Sequence, residues 1–181
     1  MSRSIYSFLC FLGLIVMSSC TTTKDLVTKD IFVDLSADFV INQPSNTSWD
    51  ESKLLDAAAQ SPDLATYINV IQKVTLDKVT YKITTFNGPA GQTLTNGWID
   101  IADENGNGRL NLATMTNTAV SGIVGQELEV PMTENAKTYL VDQIKNSPHK
   151  AMSYTKGTVS AAPIDMTVRV KFYLTVRVSL L

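Results

Sequence analysis

Between Ile164 and Leu180 every second residue is apolar: Ile164, Met166, Val168, Val170, Phe172, Leu174, Val176, Val178 and Leu180. The positions between them are Asp165, Thr167, Arg169, Lys171, Tyr173, Thr175, Arg177 and Ser179. Side chains of an extended chain alternate between two faces, so this period of two describes a strand with one dry face and one wet face. Seventeen residues at about 3.3 Å each reach roughly 55 Å, well beyond an ordinary strand. The run is expected to bend, or to serve two sheets in turn.

The same period recurs upstream. Ile31, Val33, Leu35, Ala37, Phe39 and Ile41 alternate with Phe32, Asp34, Ser36, Asp38 and Val40, which predicts a half-buried strand over residues 31–41. Pro44 lies in the break that follows. From Val74 the apolar parity is even, through Leu76, and from Val79 it is odd, through Tyr81 and Ile83. That flip predicts a bulge at Asp77–Lys78. Residues 97–102 and 109–115 are further strand candidates, joined by the turn sequence 103–108 with its two Asn-Gly pairs. Residues 126–130 read as a short strand, and 152–161 as a strand with Gly157 marking a bulge or bend.

Helices are expected in two places. Ser48 and Glu51 have capping-box spacing, and Leu54, Leu55 and Ala58 would share a helix face ending near Gln60. Ser61-Pro62-Asp63 restarts that helix, with Leu64, Tyr67, Ile68 and Ile71 at helical spacing. Thr133 is expected to cap a second helix over 134–146, with Ala136, Leu140, Val141 and Ile144 on one face. Ser147-Pro148 ends it. Six or seven strands with two helical insertions predict a mainly β protein, an antiparallel β-sandwich. A lipocalin-like barrel is the alternative. A single amphipathic strand carrying Arg169, Lys171 and Arg177 does not make the repeated pattern of a transmembrane barrel.

The amino terminus has a different character. Arg3 precedes an apolar run over residues 5–17, broken only by Ser7 and Gly13, and Ser18, Ser19 and Cys20 follow. The run is shorter than the roughly 20 residues that span a bilayer as a helix. It has the three parts of an export signal, and the segment Met17-Ser18-Ser19-Cys20 resembles the lipidation site of bacterial lipoproteins. Met17 stands where that family usually has Leu. The resemblance implies that residues 1–19 are removed and that Cys20 carries a diacylglycerol. Residues 20–29 then form a lipidated tether and residues 30–181 a single domain. It implies a place in the bacterial cell envelope. Thr21 after the cysteine, rather than Asp, leaves the outer membrane open as the destination, on either face. Surface lipoproteins of this kind often carry immunoglobulin-like or transthyretin-like sandwiches, which the strand pattern resembles in architecture.

Removing residues 1–19 leaves 162 residues and moves the formal net charge from −2 to −3, since only Arg3 is lost. That length suits one domain with a core of its own. Cys10 leaves with the signal and Cys20 carries the lipid, so the domain folds without a disulfide. Lys and Arg are scattered singly. A nucleic-acid footprint needs them clustered, so nucleic acid is not expected as a partner.

Few residues invite chemistry. Asp103, Asn105, Asn107 and Gly108 have the alternate oxygens of a calcium loop, with Asn111 at its ninth position. Its twelfth position is Thr114 rather than Glu. A tight hairpin explains the same residues without a metal. His149, the only histidine, sits past a helix end without an attendant nucleophile and reads as a solvated loop residue. The pairs Asp100 with Asp103 and Glu127 with Glu129 lack the unequal surroundings that acid–base catalysis needs. Trp49 and Trp98 would suit a sugar-stacking platform, but core or rim packing is their default. No cofactor is expected. The expected function is a non-enzymatic, membrane-anchored lipoprotein presenting an interaction surface, with the membrane and an envelope protein as partners. The alternatives are two. One is a module for an apolar or carbohydrate ligand, with Ile68, Phe172 or Leu174 lining a cavity. The other is a fimbrial or assembly subunit that exchanges residues 164–181 between copies.

Overall fold

The computed structural model describes residues 27–180. The long alternating run forms strand β8 (Ile164–Ser179), at the centre of the structure. On one side it pairs with β1 (Thr28–Gln43) without interruption, from Thr28↔Ser179 to Gln43↔Ile164. On the other it pairs with β3 (Ile71–Phe86), and β6 (Leu128–Glu129) completes a four-stranded sheet in the order β1-β8-β3-β6. Every apolar residue of β8 from Ile164 to Val178 points inward and is buried, as are Ile31, Val33, Leu35, Ala37, Phe39 and Ile41 of β1.

Strand β8 does not serve two sheets in turn: it stays within one sheet for all 16 residues. The irregularity falls on β3, which shifts register against β8 at Ile71/Lys73, Leu76/Lys78 and Ile83/Thr85. The middle shift is the parity flip visible in the sequence. Bulges raise local twist, which lets a long strand coil with its neighbours without leaving them.

The second sheet has the order β2-β7-β4-β5, built from β2 (Ser48–Asp56), β7 (Lys150–Val159), β4 (Thr93–Ala102) and β5 (Leu110–Ala119). Strand β2 corrects the expected helix at Ser48. Trp49 and Leu55 share a strand parity and are both buried, whereas Leu54 is exposed. Pairing with β7 along the whole of β2 overrides the local capping-box signal. The helical insertion is confined to α1 (Ala57–Gln60), capped by Asp56, then α2 (Pro62–Thr66) and a 3-10 turn at Ile68–Val70. Ser61 caps α2 as expected, its Oγ accepting from the Leu64 amide at 3.3 Å. Helix α3 (Val120–Ile123) fills a stretch with no clear sequence signal. Helix α4 (Glu134–Lys145) buries Ala136, Leu140 and Ile144. Thr133 occupies its N-cap position but makes no cap bond. Its hydroxyl instead donates to the Asn111 carbonyl at 2.6 Å, tying the helix start to β5.

The pairings β1·β8, β2·β7, β3·β6 and β4·β5 are nested and antiparallel, and β3·β8 and β4·β7 join them into sheets. This is one long antiparallel ribbon rolled into two facing sheets, the jelly roll. The expected β-sandwich is present. Its strand order departs from the immunoglobulin scheme, where consecutive strands dominate a sheet. The two separate sheets also set it apart from a closed barrel. Strand β1 begins at Thr28, and the Val27 carbonyl accepts from the Leu180 amide at 2.8 Å, so the folded domain reaches into the expected tether. Cys20 and the signal segment lie outside the described residues.

Strand β1 is an edge, and its outward ladder is guarded. Gln60 Oε1 accepts from the Ser36 amide at 2.7 Å, and Asp30, Asp34 and Asp38 stud the same strand, a common defence against strand-to-strand aggregation.

Gly157 is not a bulge. It stands in register with Trp49 of β2 and Gly97 of β4. Its missing side chain makes room for the Trp49 indole: a Cβ there would lie 2.5 Å from Trp49 Cζ2 and 2.7 Å from the Asn96 carbonyl oxygen. Backbone on one side and a packed ring on the other leave no relief. The Gly157→Ala variant is expected to lose about 1–3 kcal/mol, read as a lower urea midpoint at unchanged slope. An unaltered midpoint would refute this role.

Candidate interaction surface

The wet face of the β1-β8-β3-β6 sheet is ordered by cross-strand pairs. Asp30 faces Arg177, Asp34 faces Tyr173 and Asp38 faces Arg169. Arg177 donates from Nε and Nη2 to both oxygens of Asp30 at 2.8 and 2.9 Å. Arg169 does the same to Asp38 at 2.7 and 2.8 Å. These forked bonds hold both carboxyls below their ordinary range. Both pairs are solvated, so they steer register more than they stabilise.

Tyr173 organises the far side of this face. Its hydroxyl donates to Glu127, whose same oxygen accepts from Thr80 Oγ1 at 2.8 Å. Tyr173 and then Thr80 hold Glu127 below its usual carboxylate range, and the carboxylate raises the phenol. The clamp fixes the segment leading into the two-residue strand β6. Lys78 Nζ sits 4.5 Å from the Tyr173 ring centre, and Thr175 donates to Asp77 at 2.7 Å. Between Phe32 and Glu129 runs an open groove of about 470 Å3, lined by Asp34, Asp77, Lys78 and Tyr173. Phe32 is 81% exposed and Val40, further along β1, is 68% exposed. Both occupy the outward parity of β1, among aspartates.

The outer face of the other sheet is closed by a polar network. The Asp100 side chain is only 4% exposed and lies against Arg109 Nε at 2.9 Å and Lys156 Nζ at 3.3 Å. Asn111 Nδ2 donates to its other oxygen at 2.8 Å. Arg109 passes over the Tyr154 ring, 4.0 Å from its centre, and its remaining two nitrogens grip Asp50 at 2.8 and 3.0 Å. One guanidinium, from the residue that precedes β5, thus links β4 and β2 across β7.

The residues singled out in the sequence are dispersed. Asp103 Oδ1 accepts from the backbone amides of Asn105 and Asn107 at 2.9 and 2.8 Å, and Asn107 Nδ2 reaches Oδ2 at 3.3 Å. Asn111 is committed to Asp100. The carboxylate of the calcium-like loop is therefore engaged in holding its own turn, with Gly106 and Gly108 at positive φ. Asp100 and Asp103 face different surroundings, one closed in by cations and one in a solvated turn. Glu127 is held by Tyr173, while Glu129 lines the groove. His149 is half-buried rather than fully solvated. Its Nδ1 lies 3.0 Å from the Ile144 carbonyl, which can only accept, so the proton sits on Nδ1 and caps the end of α4. Trp49 lies between the sheets and Trp98 on the outer face under Lys156, 5.3 Å from its ring. The two indoles make no common platform. The void beside Trp49 is about 20 Å3, room for about one water, and Phe172 and Leu174 are packed into the core. Phe32 was not singled out, although an aromatic at the wet parity of an amphipathic strand is a signal the sequence carries.

No protein-family model and no curated protein matches the chain. Solved structures of low similarity include that of Desmodium yellow mottle tymovirus, 13% identical over 84% of this chain and 90% of that one, at a TM-score of 0.35. The decameric BFDV capsid protein is 9% identical over 83% and 99%, at 0.39. Turnip yellow mosaic virus is 11% identical over 84% and 96%, at 0.31.

Removing Arg109 strips Asp100 of one cation and Asp50 of its partner. The Arg109→Met variant is expected to lose about 2–3 kcal/mol, somewhat less than a fully buried pair. Asp50→Ala, at the exposed end, should cost under about 1 kcal/mol. Equal losses in chemical denaturation would contradict this ordering. Acid should also act on the fold. Backbone amides hold Asp56 and Asp103 below the usual range, as the arginines hold Asp30 and Asp38. A depressed folded-state pKa stabilises above the unfolded value and is lost as pH falls through the folded one. The melting temperature should therefore be level from neutral pH to about 5 and fall below about 4. A melting temperature that rises on acidification would contradict it.

Proposed function

We propose that this chain is a non-enzymatic lipoprotein of the bacterial cell envelope, anchored through lipid on Cys20, whose jelly roll offers the wet face of the β1-β8-β3-β6 sheet to a protein partner. The observation that carries the surface is Phe32, a phenyl ring 81% exposed at the lip of an open groove. Single exposed apolar residues are ordinary. This one stands beside Tyr173 and charged walls of both signs, the composition of an anchor residue within a polar rim. The groups best suited to acid–base work are each held by a structural partner: Asp100 by Arg109 and Lys156, Glu127 by Tyr173, His149 by a helix end. The anchor is supported by the signal-like segment ending at Cys20. Among the described residues no helix is long and apolar enough to cross a membrane.

A polar, extended ligand such as a glycan is the second reading, favoured by the acidic side chains Asp34, Asp77 and Glu129 around Phe32. The void between the sheets is too small for such a molecule. Strand exchange has a large cost in this fold, because β8 lies between β1 and β3 and carries the core.

Two measurements on cells test the proposal. The Cys20→Ala variant should move from the membrane fraction to the soluble one, and the membrane-purified parent should carry the added mass of acyl chains. A photoreactive side chain at position 32 should give a discrete protein adduct, and one at Ser52 on the opposite sheet should not. An unmodified thiol at Cys20 ends the anchor claim, and no adduct from position 32 ends the surface claim.

A further inference from the structure

Three exposed apolar side chains meet at one corner of the first sheet. Val27 is 51% exposed, Val70 41% and Leu180 42%. The Leu180 amide bonds to the Val27 carbonyl, and Ile71 pairs with Val178, which brings Val70 beside the end of β8. Two lysines stand at the rim. Lys29 faces Val178 across the β1·β8 ladder and reaches over the Tyr67 ring at 5.3 Å. Lys73 lies in register with Arg177, whose fork holds Asp30, the acid nearest the patch along β1.

Apolar side chains rimmed by amines match a bilayer interface, where the first enter the acyl boundary and the second meet lipid phosphates. The place of the corner argues more strongly than its composition. The described domain begins at Val27, and Cys20 lies seven residues before it. Seven residues span at most about 25 Å when fully extended. Lipid on Cys20 therefore keeps this corner, and no other part of the sandwich so closely, near the bilayer surface. Val124, an exposed valine of similar size, lies near Ile83, whose carbonyl bonds to Gly125. That is about 40 Å along β3 from Ile71.

We propose that the corner formed by Val27, Val70 and Leu180 docks on the lipid bilayer, so that the domain stands on the membrane instead of swinging from its tether. The proposal rests on the anchor at Cys20. It commits to lipid rather than to a second copy of the chain, because the tether delivers this corner to lipid in every molecule.

The test uses the full lipidated chain in vesicles of phosphatidylethanolamine and phosphatidylglycerol with brominated acyl chains. Trp49 and Trp98 set the baseline emission of the parent. The Val70→Trp variant should add emission that brominated chains quench at least about twofold more than the baseline, and Val124→Trp should add emission that they do not. Leu180→Trp serves as the second reporter if Val70→Trp misfolds. Retention of the parent and release of Cys20→Ala, with the corner reporter quenched, supports docking. Retention with an unquenched corner reporter overturns docking and leaves the anchor standing. Failure of the vesicles to retain the parent removes the anchor, and docking with it. A corner reporter shielded from acrylamide in detergent, at twice the monomer mass, assigns the patch to a second copy and overturns docking.

Discussion

The fold depends on one strand being held from both sides. Strand β8 takes β1 along its whole length on one edge and β3 on the other, and its dry face supplies a continuous row of core side chains. No other described strand is both so long and so enclosed. A strand of that length between two others must twist with them, and the bulges in β3 absorb the mismatch. The unbroken register of β1·β8 and the irregularity of β3·β8 are two sides of one constraint.

The outer faces show how polar side chains are arranged once that core is set. On the first sheet, arginine–aspartate forks tie β8 to the edge strand, and the Tyr173–Glu127–Thr80 clamp ties it to the segment beyond β3. On the second, Arg109 bridges three strands over Tyr154. The forks on the first sheet join direct cross-strand partners, whereas Arg109 reaches over a neighbouring strand. The exposed apolar residues stand apart from these ties. Phe32 and Val40 gain nothing visible from the fold that displays them.

Much of the architecture is legible in the sequence, where periodicity is local. The alternation in β1 and β8, the bulge at Asp77–Lys78, the Ser61 cap and the apolar stripe of α4 all follow from neighbours within a few residues. The failures occur where distant residues decide. Ser48 and Glu51 spell a helix start, but the room that Gly157 leaves for Trp49 favours a strand. Gly157 itself looks like a bulge until the indole opposite is known. Thr133 looks like a cap, yet its hydroxyl finds a carbonyl on β5. The surface is harder still to foresee. The Asp100 network joins the β4–β5 hairpin to β2 and β7, which are remote from it in sequence, and the wet-side Phe32 gains its groove only from strands far along the chain.

The nested pairing also has a consequence in time. Thr28, among the first residues of the domain to be made, pairs with Ser179, among the last. The central ladder cannot close until nearly the whole chain is present, and contacts so remote in sequence form slowly. Residues 28–43 must wait as an unpaired amphipathic segment, with their aspartates discouraging premature association. Were the chain threaded through a membrane before folding, as lipid on Cys20 would require, such a delay would be useful. The topology would then hold residues 28–43 without their ladder, and the polypeptide open to passage, until β8 is made.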